Sequence, residues 1–252
     1  MDDPAATATA AGEREADGDT APTVVAQHLL LATKLGDDPD PHLDRLAAVD
    51  DDALERVRTD RRAALAFWSN LYNAGTQLLL SRRPELYGSP LRFVRFFGAT
   101  AVTVAGTDLS LDDIENNILR AGRSKYTLGY TRKLRLGAFS RRYRLDEPDP
   151  RIHFALNCGA ASCPAVRFYE PDDVDDQLDS ATALYLERTV EYDPDADVAR
   201  VPRVCLWFRG DFGGGDGIRE FLRRYDAIPA DATPKIRYLS WDWSRAGGKF
   251  AE

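Results

Sequence analysis

Cysteine, histidine, lysine and methionine are all scarce in this chain of 252 residues: three, three, five and one. Three cysteines cannot close a disulfide framework, so stability has to come from a buried apolar core. No apolar run approaches the ~20 residues needed to span a bilayer, which argues against a membrane partner. The N-terminus has neither the basic start nor the apolar stretch of a secretory signal, so we expect a cytoplasmic chain with free thiols. Lysine occurs only at Lys34, Lys125, Lys133, Lys235 and Lys249, and the net charge is −8. An acidic, lysine-poor surface stays hydrated in concentrated salt, which suggests a halophilic source; a high-GC genome gives the same bias. Such a surface repels phosphate backbones, so nucleic acid is not an expected partner.

At 28.0 kDa and 44% hydrophobic residues, the chain is long enough for one sizeable core. Residues 1–22 are mostly Ala, Thr, Asp, Glu and Gly and are expected to be a disordered acidic tail, with one globular domain over 23–252. Helices are expected over Val24–Lys34 and His42–Thr59, the latter after a turn at Asp38–Pro41. A third runs from Arg61 to Ser81, capped by Thr59 or Asp60 and apolar on nearly every side. Asn70, Asn73 and Gln77 form one amide stripe along it, to brace backbone or to orient a catalytic group.

Val102–Ser110 reads as strand and turn, and Ser110 with Asp113 as a capping box. Glu115 then falls within the apolar face of the next helix, so it must find a cation or a donor, with Arg120 or Arg151 the expected partner, or stay protonated. The basic stretch Arg132–Arg144, interleaved with aromatics, could touch an anion but is expected to be a solvated hairpin or loop making surface ion pairs. The acidic run Asp172–Asp179 reads as the solvated face of a helix ending near Glu187. Val190–Val204 reads as a hairpin, Ile218–Tyr225 as a short helix and Ile236–Trp241 as a last strand. Asp211–Gly217 reads as a flexible connection; it lacks the Lys-Ser/Thr of a phosphate loop, and no motif implies a cofactor. The fold class expected is α+β, helix-rich, with a small, largely antiparallel sheet and hairpins.

Most chemistry-bearing side chains gather in Arg151-Ile-His-Phe-Ala-Leu-Asn-Cys-Gly-Ala-Ala-Ser-Cys-Pro164. Read as a strand over Arg151–Asn157, this segment places His153 and Cys158 on opposite faces unless it bends, an objection that Cys163 escapes. Gly159 frees the backbone after Cys158, where N–H groups could gather as an oxyanion hole, and this favours Cys158 as nucleophile. The expected catalytic set is therefore Cys158, His153, Glu115 and Asn73, with Asn70, Cys163, Arg151 and Ser162 lining the binding site. The even spacing of His153, Cys158 and Cys163, with Cys205 far away, does not fit a zinc knuckle, so no metal is expected.

The run His153-Phe-Ala-Leu-x-Cys158-Gly-x-x-Ser162-Cys163-Pro164 resembles the core motif of the family called domain of unknown function 547. Phe67-Trp68-Ser-Asn70-Leu-Tyr72-Asn73, Leu109–Arg120, Trp207–Gly213 and Trp241-Asp242-Trp243 are similar to further signatures of that family, and the resemblance covers roughly residues 60–245. It implies kinship and no activity. From the residues, the function expected is a cysteine-dependent hydrolase or acyl-transfer enzyme. The alternative is a noncatalytic domain that binds a small ligand or a protein.

Overall fold

The computed structural model describes residues 21–251. The expected tail over residues 1–20 lies outside them. Of its last two residues, Ala21 is the N-cap and Pro22 the first residue of helix α1, which spans Pro22–Leu35 and needs no amide hydrogen at its first position. The expected second helix is two, α2 (Asp40–Ala47) and α3 (Asp51–Thr59). Asp50 interrupts the run by capping α3, its side chain accepting from Ala53 N.

Helix α4 (Arg61–Arg82) is the axis of the structure. Asp60 caps it by accepting from the N–H groups of Arg62 and Ala63. Every residue from Ala64 to Leu80 is buried, because α1, α3 and the elements described next pack around it. A helix α5 (Pro90–Gly98) leads into the antiparallel hairpin β1 (Thr100–Val104) and β2 (Thr107–Ser110). Ser110 and Asp113 then form the reciprocal capping box: Asp113 N donates to Ser110 Oγ at 3.1 Å and Ser110 N to Asp113 Oδ2 at 3.0 Å. What the box starts is a wider π-helical segment, Asp113–Leu119. It closes with Arg120 N donating to Glu115 O at 2.8 Å.

After the short helix α6 (Ala138–Tyr143), the expected strand over Arg151–Asn157 is instead a 3₁₀ turn, Pro150–Phe154. Pro150 holds the first φ in helical range, and Asp149 accepts from Arg151 N at 3.0 Å, so the turn is capped and started locally. Face parity along a strand therefore does not apply to His153 and Cys158. Helix α7 (Val174–Thr189) follows. The strands β3 (Glu191–Asp193) and β4 (Val198–Val201) form the expected second hairpin, and β5 (Lys235–Tyr238) joins β4 in parallel. Between β4 and β5 lie α8 (Val204–Trp207) and α9 (Gly214–Arg224). The fold class is α+β, with two small, mostly antiparallel sheets. One apolar cluster surrounds α4, and a second, containing Phe154, Val201, Cys205 and Leu222, joins α7, α9 and the three-stranded sheet. No described helix is long and apolar enough to cross a membrane.

Two charge expectations are corrected. Among the described residues only Arg142 of the basic stretch meets carboxylates, those of Asp51 and Glu55; Arg132, Arg141 and Arg144 donate to backbone carbonyls. In the acidic run, Asp175 and Asp179 are not merely solvated, since both take the guanidinium of Arg151.

The amide stripe of α4 braces backbone. Asn70 exchanges two hydrogen bonds with Tyr169, accepting from its N–H and donating to its carbonyl. Asn73 donates to Ala155 O at 3.1 Å and accepts from Asn157 N at 2.9 Å, and Gln77 accepts from Gly248 N. Asn73→Ala leaves a buried carbonyl and a buried N–H unpaired, so we expect a loss of about 2–4 kcal/mol in urea unfolding. An unchanged midpoint would show that the segment after Phe154 is held by something else.

Candidate active site

Asn73 fixes the chain as it leaves the 3₁₀ turn, and Asn157 continues the bracing by accepting from Gly159 N and donating to Pro164 O. The loop is thereby folded back on itself, and Cys163 Sγ comes to lie 2.6 Å from Cys158 Sγ. Cys158 N donates to Cys163 Sγ at 3.1 Å, Ala161 N to Ser244 O, and Ser162 N to Asp242 O. The N–H groups from Asn157 to Gly159 and at Ala161 and Ser162 are thus committed, which corrects the expectation of an oxyanion hole after Cys158. The Cys158 N–H serves the Cys163 sulfur, and the Ala160 N–H favours negative charge on either sulfur.

The electrostatics follow from that geometry. Burial alone would raise the Cys163 thiol, but the Cys158 S–H, the two N–H groups and the charge of Lys249 outweigh it and hold it below the usual thiol value. The hydrogen bond to Cys163, helped by burial, pushes the Cys158 thiol well up. The first negative charge on the pair therefore sits on Cys163, which is buried, while Cys158 is the partly exposed sulfur.

Both sulfurs form part of a cavity of about 290 Å³. Its walls are aromatic, with Phe97, Phe208, Trp207, Trp241 and Trp243, and its polar side holds Tyr72, Asp112, Glu115 and Lys125. Lys125 and Asp112 pair with each other there. Glu115 is half-buried and has no arginine partner among the described residues: Arg120 turns to Asp211, and Arg151 to Asp149, Asp175 and Asp179. Its one hydrogen bond comes from Tyr72 Oη at 3.3 Å. Burial pushes the Glu115 carboxyl up to about 7, which makes it a group able to take or give a proton near neutrality. Burial also keeps the Tyr72 phenol protonated.

His153 is held by a residue from the segment read as a flexible connection. Its Nε2 lies 3.0 Å from Asp211 Oδ2, and the ring stacks on Phe208 at 4.1 Å between centroids. Burial lowers the imidazole pKa despite the carboxylate, so the ring is neutral and Nε2–H donates. Burial would raise the Asp211 carboxyl, but the bonds from His153 and Arg120 prevail and hold it below the usual carboxylate range. Arg120 Nε is 2.5 Å from Asp211 Oδ2, and the guanidinium also lies over Phe208 and bonds Asn116 Oδ1. Gly129 makes room for this cluster, since a Cβ there would come within 2.3 Å of Asp211 Oδ1 at a φ of +82°.

The cavity thus brings together Cys158, Cys163, Glu115 and His153. Among the described hydrogen bonds none joins His153 to either sulfur, so the expected Cys–His pair does not form. Asn70 and Asn73 support the surrounding backbone without entering the cavity, and Asn73 does not touch His153. Arg151 anchors the 3₁₀ turn to α7, and Ser162 faces a neighbouring cavity. Sequence reasoning missed Asp211, Tyr72 and the tryptophan walls. Cys205 lies in the second apolar cluster, and among the described residues no group of three potential ligands converges to hold a metal.

Fold and site together define an α+β protein with a close thiol pair in an aromatic cavity. The family described as "Protein of unknown function, DUF547" matches residues 57–186, and the chain belongs to that family. The match contains the thiol pair, Glu115, Tyr72 and His153; Asp211 and the tryptophans lie beyond it. No curated protein and no solved structure matches the chain.

Two outcomes test these electrostatics. The raised Glu115 carboxyl costs the fold free energy once pH passes the ordinary carboxyl value, and the full cost is present above about 7. Glu115→Gln should therefore stabilise by about 1–2 kcal/mol near pH 8 and change little near pH 4 in urea unfolding; equal destabilisation at both would mean that its charge is paired. Asp211→Asn leaves the Arg120 charge uncompensated and should cost about 3–5 kcal/mol by the same measurement. A loss below about 1 kcal/mol would mean that Arg120 is adequately solvated without it.

Proposed function

We propose that this chain is a cysteine-dependent enzyme of thiol–disulfide exchange, acting on a small apolar or aromatic disulfide. The observation that carries the reading is the 2.6 Å approach of the Cys158 and Cys163 sulfurs beside the aromatic cavity. Two sulfurs so close readily interconvert between dithiol and disulfide, and the shared negative charge favours the exchange. Trp207, Trp241 and Trp243 supply flat apolar surface for the substrate body.

In this mechanism the Cys158 S–H gives its proton to the Cys163 thiolate, its hydrogen-bond partner. The Cys158 thiolate attacks one sulfur of the substrate, a Cys158–substrate disulfide forms, and protonated Glu115 gives its proton to the departing thiolate. Cys163 returns a proton to Glu115, and the Cys163 thiolate so formed attacks Cys158 Sγ and releases the second substrate thiolate, which is protonated by solvent. Two protein thiols are oxidised to one disulfide and one substrate disulfide is reduced to two thiols. A low-molecular-weight thiol restores the pair. We place the reaction in the cytoplasm, whose thiol pool keeps such a pair reduced. His153, neutral and fixed by Asp211, is a positioning residue of the cavity wall.

Hydrolysis or acyl transfer at Cys158 is the second reading. It is favoured by Tyr72, whose protonated hydroxyl, once turned away from Glu115, would donate to a developing oxyanion.

Dithiodipyridine, a small aromatic disulfide, tests the choice. The native reduced protein should release two thiopyridones per chain in a fast phase and end with an internal Cys158–Cys163 disulfide by mass spectrometry. Cys163→Ser should release one and retain a mixed disulfide, and Cys158→Ser should lose the fast phase. If the internal disulfide never forms, exchange is the wrong reaction. Cys163→Ser then keeping full activity on an activated thioester would favour acyl transfer, and no fast reaction at either sulfur would favour the binding-domain alternative.

A further inference from the structure

A second cavity, of about 280 Å³, adjoins the same loop through Ala161, Ser162 and Pro164 and shares Trp241 with the thiol cavity. Its lining includes Arg167, Arg188, Arg203 and Lys249 and no carboxylate. In a chain of net charge −8, four cations gathered without an acid are conspicuous. Elsewhere arginines such as Arg61, Arg120, Arg142 and Arg151 take carboxylates. Among the described residues Arg167, Arg188 and Arg203 have no ion-pair or side-chain hydrogen-bond partner. Lys249 Nζ donates to Ala161 O and Cys163 O, which fixes it in the wall and leaves it a further donor. The Trp241 indole N–H, which can only donate, is buried without an acceptor. Uncompensated cations repel one another, and a bound anion relieves that repulsion.

We propose that this cavity is a binding site for the phosphate group of a small phosphorylated molecule, held by Arg167, Arg188, Arg203 and Lys249. Guanidinium forks match phosphate oxygens in pairs, and four positive charges suit a multiply charged phosphate better than a single carboxylate. The apolar side of the cavity, with Leu184, Tyr185, Pro202 and Leu239, suits the body of such a molecule. The observations behind this site are separate from those behind thiol exchange, since none of its cationic side chains lines the thiol cavity, although the charge of Lys249 also lowers the Cys163 thiol.

Calorimetric titration of the full chain with pyrophosphate, inorganic phosphate and benzoate, at fixed ionic strength in chloride, tests the proposal. Pyrophosphate is expected to bind saturably with one site per chain, phosphate more weakly, and benzoate more weakly still. Arg167→Ala and Arg203→Ala should each weaken pyrophosphate by about tenfold, with Arg203→Lys intermediate because it keeps the charge and loses the fork. Arg135→Ala, in the basic stretch elsewhere, and Cys158→Ser should both bind as the unaltered chain does. Absence of saturable pyrophosphate binding overturns the site, as does binding that survives the Arg167→Ala, Arg203→Ala double variant. Co-sedimentation with phosphatidic acid vesicles is expected to be negative. Vesicle binding that Arg203→Ala abolishes would assign the cavity to a lipid headgroup and overturn the small-molecule assignment.

Discussion

The fully buried Arg120–Asp211 ion pair is the constraint on which the candidate site depends. It joins the π-helical segment that carries Glu115 to the turn that precedes α9, and Asp211 then holds His153 at the end of the 3₁₀ turn. A charge taken out of water must be matched closely, so each of these elements has one acceptable position relative to the others. The close approach of Gly129 and Gly210 follows from the same demand: a Cβ on Gly210 would lie 2.4 Å from the Gly129 carbonyl carbon. The walls of the thiol cavity, Phe208 and Trp207 among them, are carried by the chain that this pair anchors.

The thiol loop is governed by a different economy, the placing of its backbone donors. Asn73 and Asn157 accept from the N–H groups of Asn157 and Gly159, and the Cys158 N–H turns to the Cys163 sulfur. A loop whose donors point at a sulfur stabilises a thiolate; one whose donors point into the cavity would stabilise an oxyanion. That difference moves the proposed chemistry from acyl transfer towards thiol exchange, with the same cysteines at its centre.

Much of the frame was legible. The apolar α4, the Ser110–Asp113 box and both hairpins are local signals, and each formed as read. The stripe of Asn70 and Asn73 was visible as a bracing device, although which backbone it would brace was not. Arg151–Asn157 alternates like a strand but folds as a turn, because the Asp149-Pro150 start favours a capped helical turn. Asp211 was missed because three glycines after it suggested flexibility, whereas Gly214–Gly217 open α9 and the carboxylate points inward.

By itself the sequence determined the fold class, the family, the start of α4 and the short segment in which the reactive side chains lie, because these depend on neighbours along the chain. Only the tertiary structure decided that the two thiols meet each other and not His153, that Glu115 goes without its arginine, and that Arg167, Arg188 and Arg203 gather in one cavity. Partner choice among buried and half-buried charges is settled by distances between segments far apart in the chain. Residue spacing along the sequence carries no record of those distances.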